Sequence, residues 1–225
     1  MNIKHIFTAT FAFSTVLVSA QQIAVQLPTQ FIQNQHFGNN NIPSNVIGSP
    51  FLSEEFTPGK VMVNDKVFAK MLRYNAYADQ IEMKIENDEI SSLVRRHDVD
   101  ATIGNSKFKL LTYESKEGKQ QNYGVVLSEG TKASLYKRFK KDLIPGKEAT
   151  SSYSEDKPAR FDDKQSYLLK LDGEDIVEMK LKKKDILKKL ESGSSARLTD
   201  FIAENKLKMN KEEDFIRLIT FYNQN

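Results

Sequence analysis

The densest group of residues that could do chemistry is the run RRHDVD at positions 95–100. Asp98 and Asp100 could offer oxygen ligands to a hard cation, and His97 could act as a base. A calcium loop needs further carboxylates at fixed offsets and a glycine, and this run supplies neither. The pattern therefore favours a charged turn between strands. We expect no metal site and no cofactor, and we keep Arg95 and His97 as candidate binding residues.

The rest of the sequence lacks the short motifs that mark common active sites. Its three histidines are too widely spaced for a helical zinc pair, and it has no glycine-rich phosphate loop, dinucleotide fingerprint or Gly-x-Ser-x-Gly elbow. It has no cysteine, which excludes a cysteine nucleophile, cysteine metal ligands and disulfides. We therefore assign no catalytic residue. The 30 acidic residues leave one enzymatic alternative open, a hydrolase in which two carboxylates meet in the fold.

A second candidate binding site combines an arginine with two tyrosines, Arg73, Tyr74 and Tyr77. Arginine and aromatic residues are typical of recognition hot spots, because they offer large contact areas together with directed hydrogen bonds. The alternative is that these side chains cover the edge of the core. If the surface carries a binding site, we expect these three residues to contribute to it.

The elements that position these residues are predicted to be short antiparallel strands within residues 54–182. In the stretch 107–140, apolar and aromatic residues alternate with polar ones between glycine-containing turns, which is typical of a β-meander. Asn64-Asp65 fits a two-residue hairpin turn, because Asn and Asp tolerate positive φ, and Asp172-Gly173 is among the strongest short hairpin signals. These patterns predict a mainly β (α+β) protein with a barrel-like or sandwich sheet of about eight strands.

Residues 183–225 change to helical spacing and predict two or three helices. We expect Asn210 to cap the last of them, with Glu213 completing a capping box. Four apolar residues then form one stripe that we expect to dock onto the sheet or the neighbouring helices: Phe215, Leu218, Ile219 and Tyr222.

Residues 21–53 form an uncharged leader that is rich in Gln and Asn and contains half of the prolines. This composition favours a flexible tether. The alternative is an arm that packs on the domain or on a partner. The apolar anchors of such an arm would be Phe31, Ile32, Phe37, Val46, Ile47, Phe51 and Leu52.

The first 20 residues have the pattern of a secretory signal peptide. Lys4 precedes an apolar run at 6–18, and small residues then lead to a cleavage site after Ala20. The run is too short to span a bilayer, which takes about 20 residues. We therefore expect an exported protein, periplasmic or secreted, with no transmembrane segment after cleavage.

The charge pattern limits the partners. With 33 basic and 30 acidic residues the chain is nearly balanced, so a nucleic-acid partner is not expected. Six lysines within 180–189 could contact an anionic lipid or glycan, although a solvated helix face is the simpler interpretation. An envelope protein is the other possible partner.

Several landmarks together resemble a widespread group of signal-peptide-bearing exported proteins of Bacteroidota that have no assigned activity. The landmarks are GSPFL at 48–52, FTPGK at 56–60, LRYNAY at 72–77, QIEMK at 80–84, LSEG at 127–130, KPARF at 157–161 and KEED at 211–214. The resemblance implies an envelope or secreted location and a non-enzymatic role. It transfers no site residue.

These observations lead to one functional expectation with two alternatives. We expect an exported, non-enzymatic binding or structural module of the cell envelope. The first alternative is a periplasmic or secreted hydrolase that uses clustered carboxylates. The second is an accessory subunit of an outer-membrane assembly.

Overall fold

The computed structural model describes residues 26–33, 42–149, 155–190 and 195–225. The predicted signal peptide and Phe37 of the predicted arm lie outside these residues. Within them the chain is mainly antiparallel β-sheet followed by helices, as the sequence predicts. The strands are Ile32–Gln33 (β1), Thr57–Val63 (β2), Lys66–Asn75 (β3), Gln80–Lys84 (β4), Ile90–Leu93 (β5), Val99–Ile103 (β6), Ser106–Ser115 (β7), Gly118–Ser128 (β8), Ala133–Ile144 (β9), Arg160–Leu171 (β10) and Val177–Met179 (β11). The helices are Lys183–Leu190 (α1), Ser195–Glu204 (α2) and Glu212–Gln224 (α3).

One continuous sheet runs in the order β1-β5-β4-β3-β2-β6-β7-β11-β10-β9-β8, and β8 also pairs with β7. The last five strands therefore close into a ring, whereas β1 to β6 extend from it as an open sheet. Strand β7 belongs to both parts. One of its edges pairs with β8, and its other edge pairs with β6 near the start and with β11 near the end.

Alternation along the ring strands separates two cores. In β9 and β10, Tyr136 and Leu168 face the ring interior with Leu111 and Tyr113 of β7. Their neighbours Leu135 and Leu169 point to the opposite face and pack against the helices. A third core lies under the open sheet and is built mainly from β2 to β8.

Two parts of the predicted leader lie against the domain. Leu27 and Phe31 are buried in the core of the open sheet, and β1 pairs with β5. Further along, Ile47 bridges to Arg160 at the start of β10, and Phe51 bridges to Asn75 at the end of β3. The segment 47–51 thus connects the open sheet to the ring.

The turn signals are confirmed, but the strand count is higher than expected. Asn64 and Asp65 both have positive φ (47° and 63°) and join β2 to β3, as a two-residue hairpin turn requires. The described residues hold eleven strands instead of about eight. Among the strands that the pattern does not predict are β1, which has only two residues, and β5, whose sequence ISSL lacks a period-2 alternation.

The predicted cap of the last helix is wrong. Helix α3 begins at Glu212 with Lys211 as its N-cap, so Asn210 lies one position too early to form a capping box. Asp214 instead accepts a hydrogen bond from the backbone N–H of Lys208 (2.9 Å) and holds the preceding loop. The predicted stripe does pack inward, with Phe215, Leu218 and Ile219 buried.

The other helices also bury one face. In α1, Ile186 and Leu190 are buried, while the lysines of this helix are exposed. None of the described helices is both long enough and apolar enough to cross a membrane.

Candidate functional site

A polar groove lies where β6 and β11 diverge along the same edge of β7. Strand β6 pairs with this edge up to Phe108, and β11 pairs with it at Glu114. No described strand pairs with the edge between these two positions, and a cavity of about 520 Å³ opens there. The residues that line it are His97, Lys109, Leu110, Leu111, Thr112, Glu129, Gly130, Thr131, Lys132, Ala133, Ser134, Tyr136, Lys170, Leu171, Asp172 and Ile176.

The wall formed by β9 and β10 places polar groups beside one another. Lys170 is directly opposite Ser134 in the ladder, and Leu168 is opposite Tyr136. Because side chains alternate along strands, all four project to the face that lines the ring interior. An ammonium group and two hydroxyl groups therefore line one side of the groove.

Gly124 in β8 allows this wall to come close to β7. A Cβ atom at position 124 would lie 2.6 Å from Leu111 Cδ1 and 3.3 Å from Tyr136 Cβ. Both distances are shorter than normal carbon contacts, so a side chain here would displace one of the two residues. The absence of a side chain at this position therefore leaves room for Leu111 and Tyr136 to pack across the ring.

The two hydroxyl groups contact each other, and the Ser134 hydroxyl also contacts the Gly130 backbone. Ser134 is buried, and its Oγ has two long contacts, 3.4 Å each, to the backbone N and O of Gly130. Burial raises the pKa of Tyr136, although a hydrogen bond with Ser134 and the nearby charge of Lys109 act in the opposite direction. The phenol therefore stays protonated and can donate a hydrogen bond to a ligand.

The lysine and glutamate side chains around the groove fall into two groups. Lys109 forms a close ion pair with Glu129, which Lys107 also approaches at 3.7 Å. The hydrogen bond from Lys109 lowers the pKa of Glu129. For Lys109, burial acts to lower the pKa, but the hydrogen bond and charge of Glu129 raise the pKa overall. By contrast, Lys132 and Lys170 have no ion-pair partner among the described residues.

The last turn of α3 fixes the position of residues 130–133, which form the rim of the groove. The side-chain oxygen of Asn223 accepts hydrogen bonds from the backbone N–H groups of Lys132 (3.2 Å) and Ala133 (2.8 Å), and its amide donates to the Ala133 carbonyl (2.9 Å). A Cβ atom at Gly130 would lie 2.3 Å from Asn223 Cγ. The sequence analysis predicted neither the groove nor a role for Asn223. The residues that line the groove are far apart in sequence, and Asn223 is about 90 residues from the backbone groups that it binds.

His97 is the candidate binding residue that lines the groove. Its Nδ1 lies 2.9 Å from the carbonyl oxygen of Leu110, so Nδ1 carries the proton in the neutral ring. Its Nε2 then accepts from the Thr112 hydroxyl (3.2 Å) and the Gln121 amide (3.0 Å). Both ring nitrogens therefore have hydrogen-bond partners. The His97 ring covers part of the β7 edge that no described strand pairs with.

Arg73 and Tyr77 lie elsewhere and make contacts within the chain. The Arg73 guanidinium lies 3.6 Å from the centre of the Phe51 ring and 4.3 Å from that of Phe56, and it forms an ion pair with buried Glu82 (2.7 Å). The Tyr77 ring packs edge-on against Phe161, with 5.4 Å between ring centres. In this fold the two residues hold connecting segments against the sheet.

Tyr74 and Arg95 converge on Asp79, a loop residue with positive φ. Its carboxylate accepts hydrogen bonds from the Tyr74 hydroxyl (2.6 Å), the Arg95 guanidinium (2.6 Å), the Asn122 amide (3.0 Å) and the Tyr123 backbone N–H (3.0 Å). Burial, followed by the charge of Asp79, raises the pKa of Tyr74. This network joins β3, β8 and the loop before β6, and its polar groups satisfy one another.

The acidic residues of the 95–100 run are likewise paired. Asp98 forms an ion pair with Arg96 (2.6 Å), and Asp100 approaches Lys107 (3.5 Å). Across the part of the chain that the structure describes, no three His, Asp or Glu side chains form a group that could hold a metal ion.

The fold and the groove define a mainly β protein with a small closed ring of strands, a helical layer on its outer face and an open polar groove beside it. Neither the family models nor the curated proteins nor the solved structures include a match to this chain.

Proposed function

We propose that this protein is an exported binding module of the cell envelope and that its ligand occupies the groove beside β7. The observation that carries the proposal is the set of polar side chains that line one wall of that groove. Lys132 and Lys170 line it without an ion-pair partner among the described residues, and the hydroxyl groups of Ser134 and Tyr136 contact each other and, for Ser134, the Gly130 backbone. A cavity with a few convergent polar groups is typical of a ligand site.

The chemistry of the groove supports binding over hydrolysis. Its two carboxylates, Glu129 and Asp172, are both exposed, and the pKa of Glu129 is lowered. A glycosidase needs one carboxylic acid whose pKa is raised, so that it can donate a proton to the leaving group. The ring of His97 is held by three contacts, and neither of its nitrogens is free to act as a base.

Export is part of the proposal and rests on the sequence of residues 1–20. It has a direct test, in which the full-length chain is expressed in a bacterial host and the exported fraction is analysed by intact-mass spectrometry. We expect a mature protein that begins at Gln21. Recovery of only the uncleaved chain in the cytoplasmic fraction would contradict the export part of the proposal.

The binding part is tested by blocking the groove. A library of small polar molecules is screened by ligand-observed NMR against the wild-type protein and against Lys132→Trp, which places a bulky ring in the groove. Lys119→Trp is the matched control, because Lys119 is also exposed but does not line the groove. We expect hits that Lys132→Trp loses and Lys119→Trp retains. Hits that survive in both variants, or no hits at all, would refute the proposed site.

A further inference from the structure

The geometry points to an oxyanion as the group that the groove recognises, namely a carboxylate, phosphate or sulfate of a small molecule, bound between Lys132 and Lys170. This inference rests on the proposed function, since it names the class of ligand for the same groove. It follows from three features, which are the charges, the hydrogen-bonding capacity and the placement of the polar side chains.

Lysines outnumber carboxylates in the groove, where Lys109, Lys132 and Lys170 stand against Glu129 and Asp172. Glu129 is already compensated by Lys109 and by Lys107. Lys132 and Lys170 have no such carboxylate within ion-pair distance among the described residues. In a half-enclosed space, charges of one sign strengthen each other's field and attract an ion of opposite sign.

The polar side chains on this wall are mainly hydrogen-bond donors. A lysine ammonium has three donors and no acceptor, and the protonated phenol of Tyr136 has a donor that faces the same wall. The hydroxyl of Ser134 can donate as well, because its contacts with Gly130 are long. A neutral sugar or amide presents both donors and acceptors, whereas the ionised oxygens of an oxyanion are acceptors only. The oxyanion is therefore the better complement.

The placement of these groups suits one small anion. Lys170 and Ser134 are cross-strand partners, so their Cβ atoms are about 5 Å apart. The carbonyl oxygen of Lys132 accepts a hydrogen bond from the backbone N–H of Asp172 (2.9 Å), which brings the backbone at Lys132 next to the end of β10. Both lysines can therefore reach an anion that also contacts the Ser134 hydroxyl.

The inference is tested with acetate, inorganic phosphate and sulfate as probes. Each is titrated into the ¹⁵N-labelled protein at constant ionic strength, with chloride as the balancing anion, and backbone amide shifts are followed by NMR. The protein is the wild type, the double variant Lys132→Gln/Lys170→Gln, or the matched control Lys66→Gln/Lys119→Gln, whose lysines are exposed and lie outside the groove.

We expect saturable shifts at Ser134 and its neighbours with at least one probe, and binding about tenfold weaker for each lysine removed. The control pair should bind like the wild type, and the probe that binds tightest identifies the source of the oxyanion. Equal binding by the double variant, or equal loss in the control pair, would overturn the inference. So would saturation of the groove by a neutral molecule with no response to any of the three anions, an outcome that leaves the proposed binding function intact. If neither the anions nor the screened library shifts groove amides, both proposals fail.

Discussion

Replacing Tyr123 by phenylalanine should stabilise this protein. The Tyr123 side chain is only 1% exposed and packs in the core under the open sheet. Its hydroxyl oxygen is buried without a hydrogen-bond partner among the described residues. Burial also raises the pKa of Tyr123, so the group remains a neutral hydroxyl, and its hydration is lost on folding without any replacement.

The magnitude follows from the cost of an unsatisfied group. A buried polar group without a partner costs about 1–3 kcal/mol, and phenylalanine keeps the same ring in the same contacts. The backbone N–H of residue 123 still donates to Asp79 in the variant. We therefore expect a gain of about 1–2 kcal/mol in the free energy of unfolding, which corresponds to a rise of roughly 3–6 °C in Tm for a chain of this size.

Tyr74→Phe provides the opposite case in the same core. The two rings lie 6.4 Å apart, and Tyr74 is also buried, but its hydroxyl donates to the Asp79 carboxylate (2.6 Å). Removing a hydrogen bond to a charged acceptor should cost about 1.5–3 kcal/mol. The same chemical change, loss of one oxygen atom, is thus predicted to have opposite signs at two neighbouring positions.

Urea unfolding followed by circular dichroism measures both variants. The chain has no tryptophan, and each substitution changes tyrosine fluorescence, so a backbone signal is the better probe. The reasoning is refuted if Tyr123→Phe destabilises the protein as much as Tyr74→Phe does. That result would mean that the Tyr123 hydroxyl has a partner in solution, such as a buried water molecule.

Three further predictions concern the groove. Asn223→Ala should lower the free energy of unfolding by about 2 kcal/mol and speed amide exchange in the rim, because three hydrogen bonds are lost. Asn225→Ala is the control, since Asn225 lies at the same helix end but away from the rim. Its free energy of unfolding should stay within about 0.5 kcal/mol of the wild-type value. Gly124→Ala should cost about 1–3 kcal/mol in urea unfolding, since the added methyl group overlaps side chains of two strands, and a neutral effect would show that the ring relaxes easily. Because the pKa of Glu129 is lowered, the stabilisation by its carboxylate is present above the unfolded-state pKa and is lost as pH falls through the folded-state pKa. In Lys109→Gln, NMR titration should show the pKa of Glu129 moving up towards its ordinary value. An unchanged pKa would contradict Lys109 as the cause of the shift.

The local patterns of the sequence were sufficient to predict the fold class. Turn pairs such as Asn64-Asp65 and the apolar stripe of α3 depend on neighbouring residues, so period and turn chemistry identify them. What failed was detail that tertiary contacts decide. Strand β5 forms because two neighbouring strands, β1 and β4, pair with it, and α3 starts at Glu212 although Asn210 has the better capping side chain.

The groove could not be predicted for a different reason. Lys109, Ser134 and Lys170 belong to three strands, and their proximity depends on the closure of the ring through β11, which pairs with β7 in parallel at a single position. Nothing in the spacing of these residues marks them as neighbours. The candidate residues that sequence analysis selected were conspicuous because arginines, tyrosines and a histidine stood together locally, and of these only His97 lines the groove.

Two polar regions of the molecule differ in how far their groups are paired. Around Asp79 and Glu82, buried charges are matched by arginine, amide and hydroxyl donors, so these groups stabilise the open sheet and have little capacity left for a ligand. In the groove, Lys132 and Lys170 are exposed and have no ion-pair partner among the described residues, and Asn223 of α3 fixes the turn that carries Lys132. Their ammonium groups therefore keep their hydrogen-bonding capacity for a ligand. An acceptor-rich ligand would use this capacity, which is why we propose the groove, and not the paired residues, as the binding site.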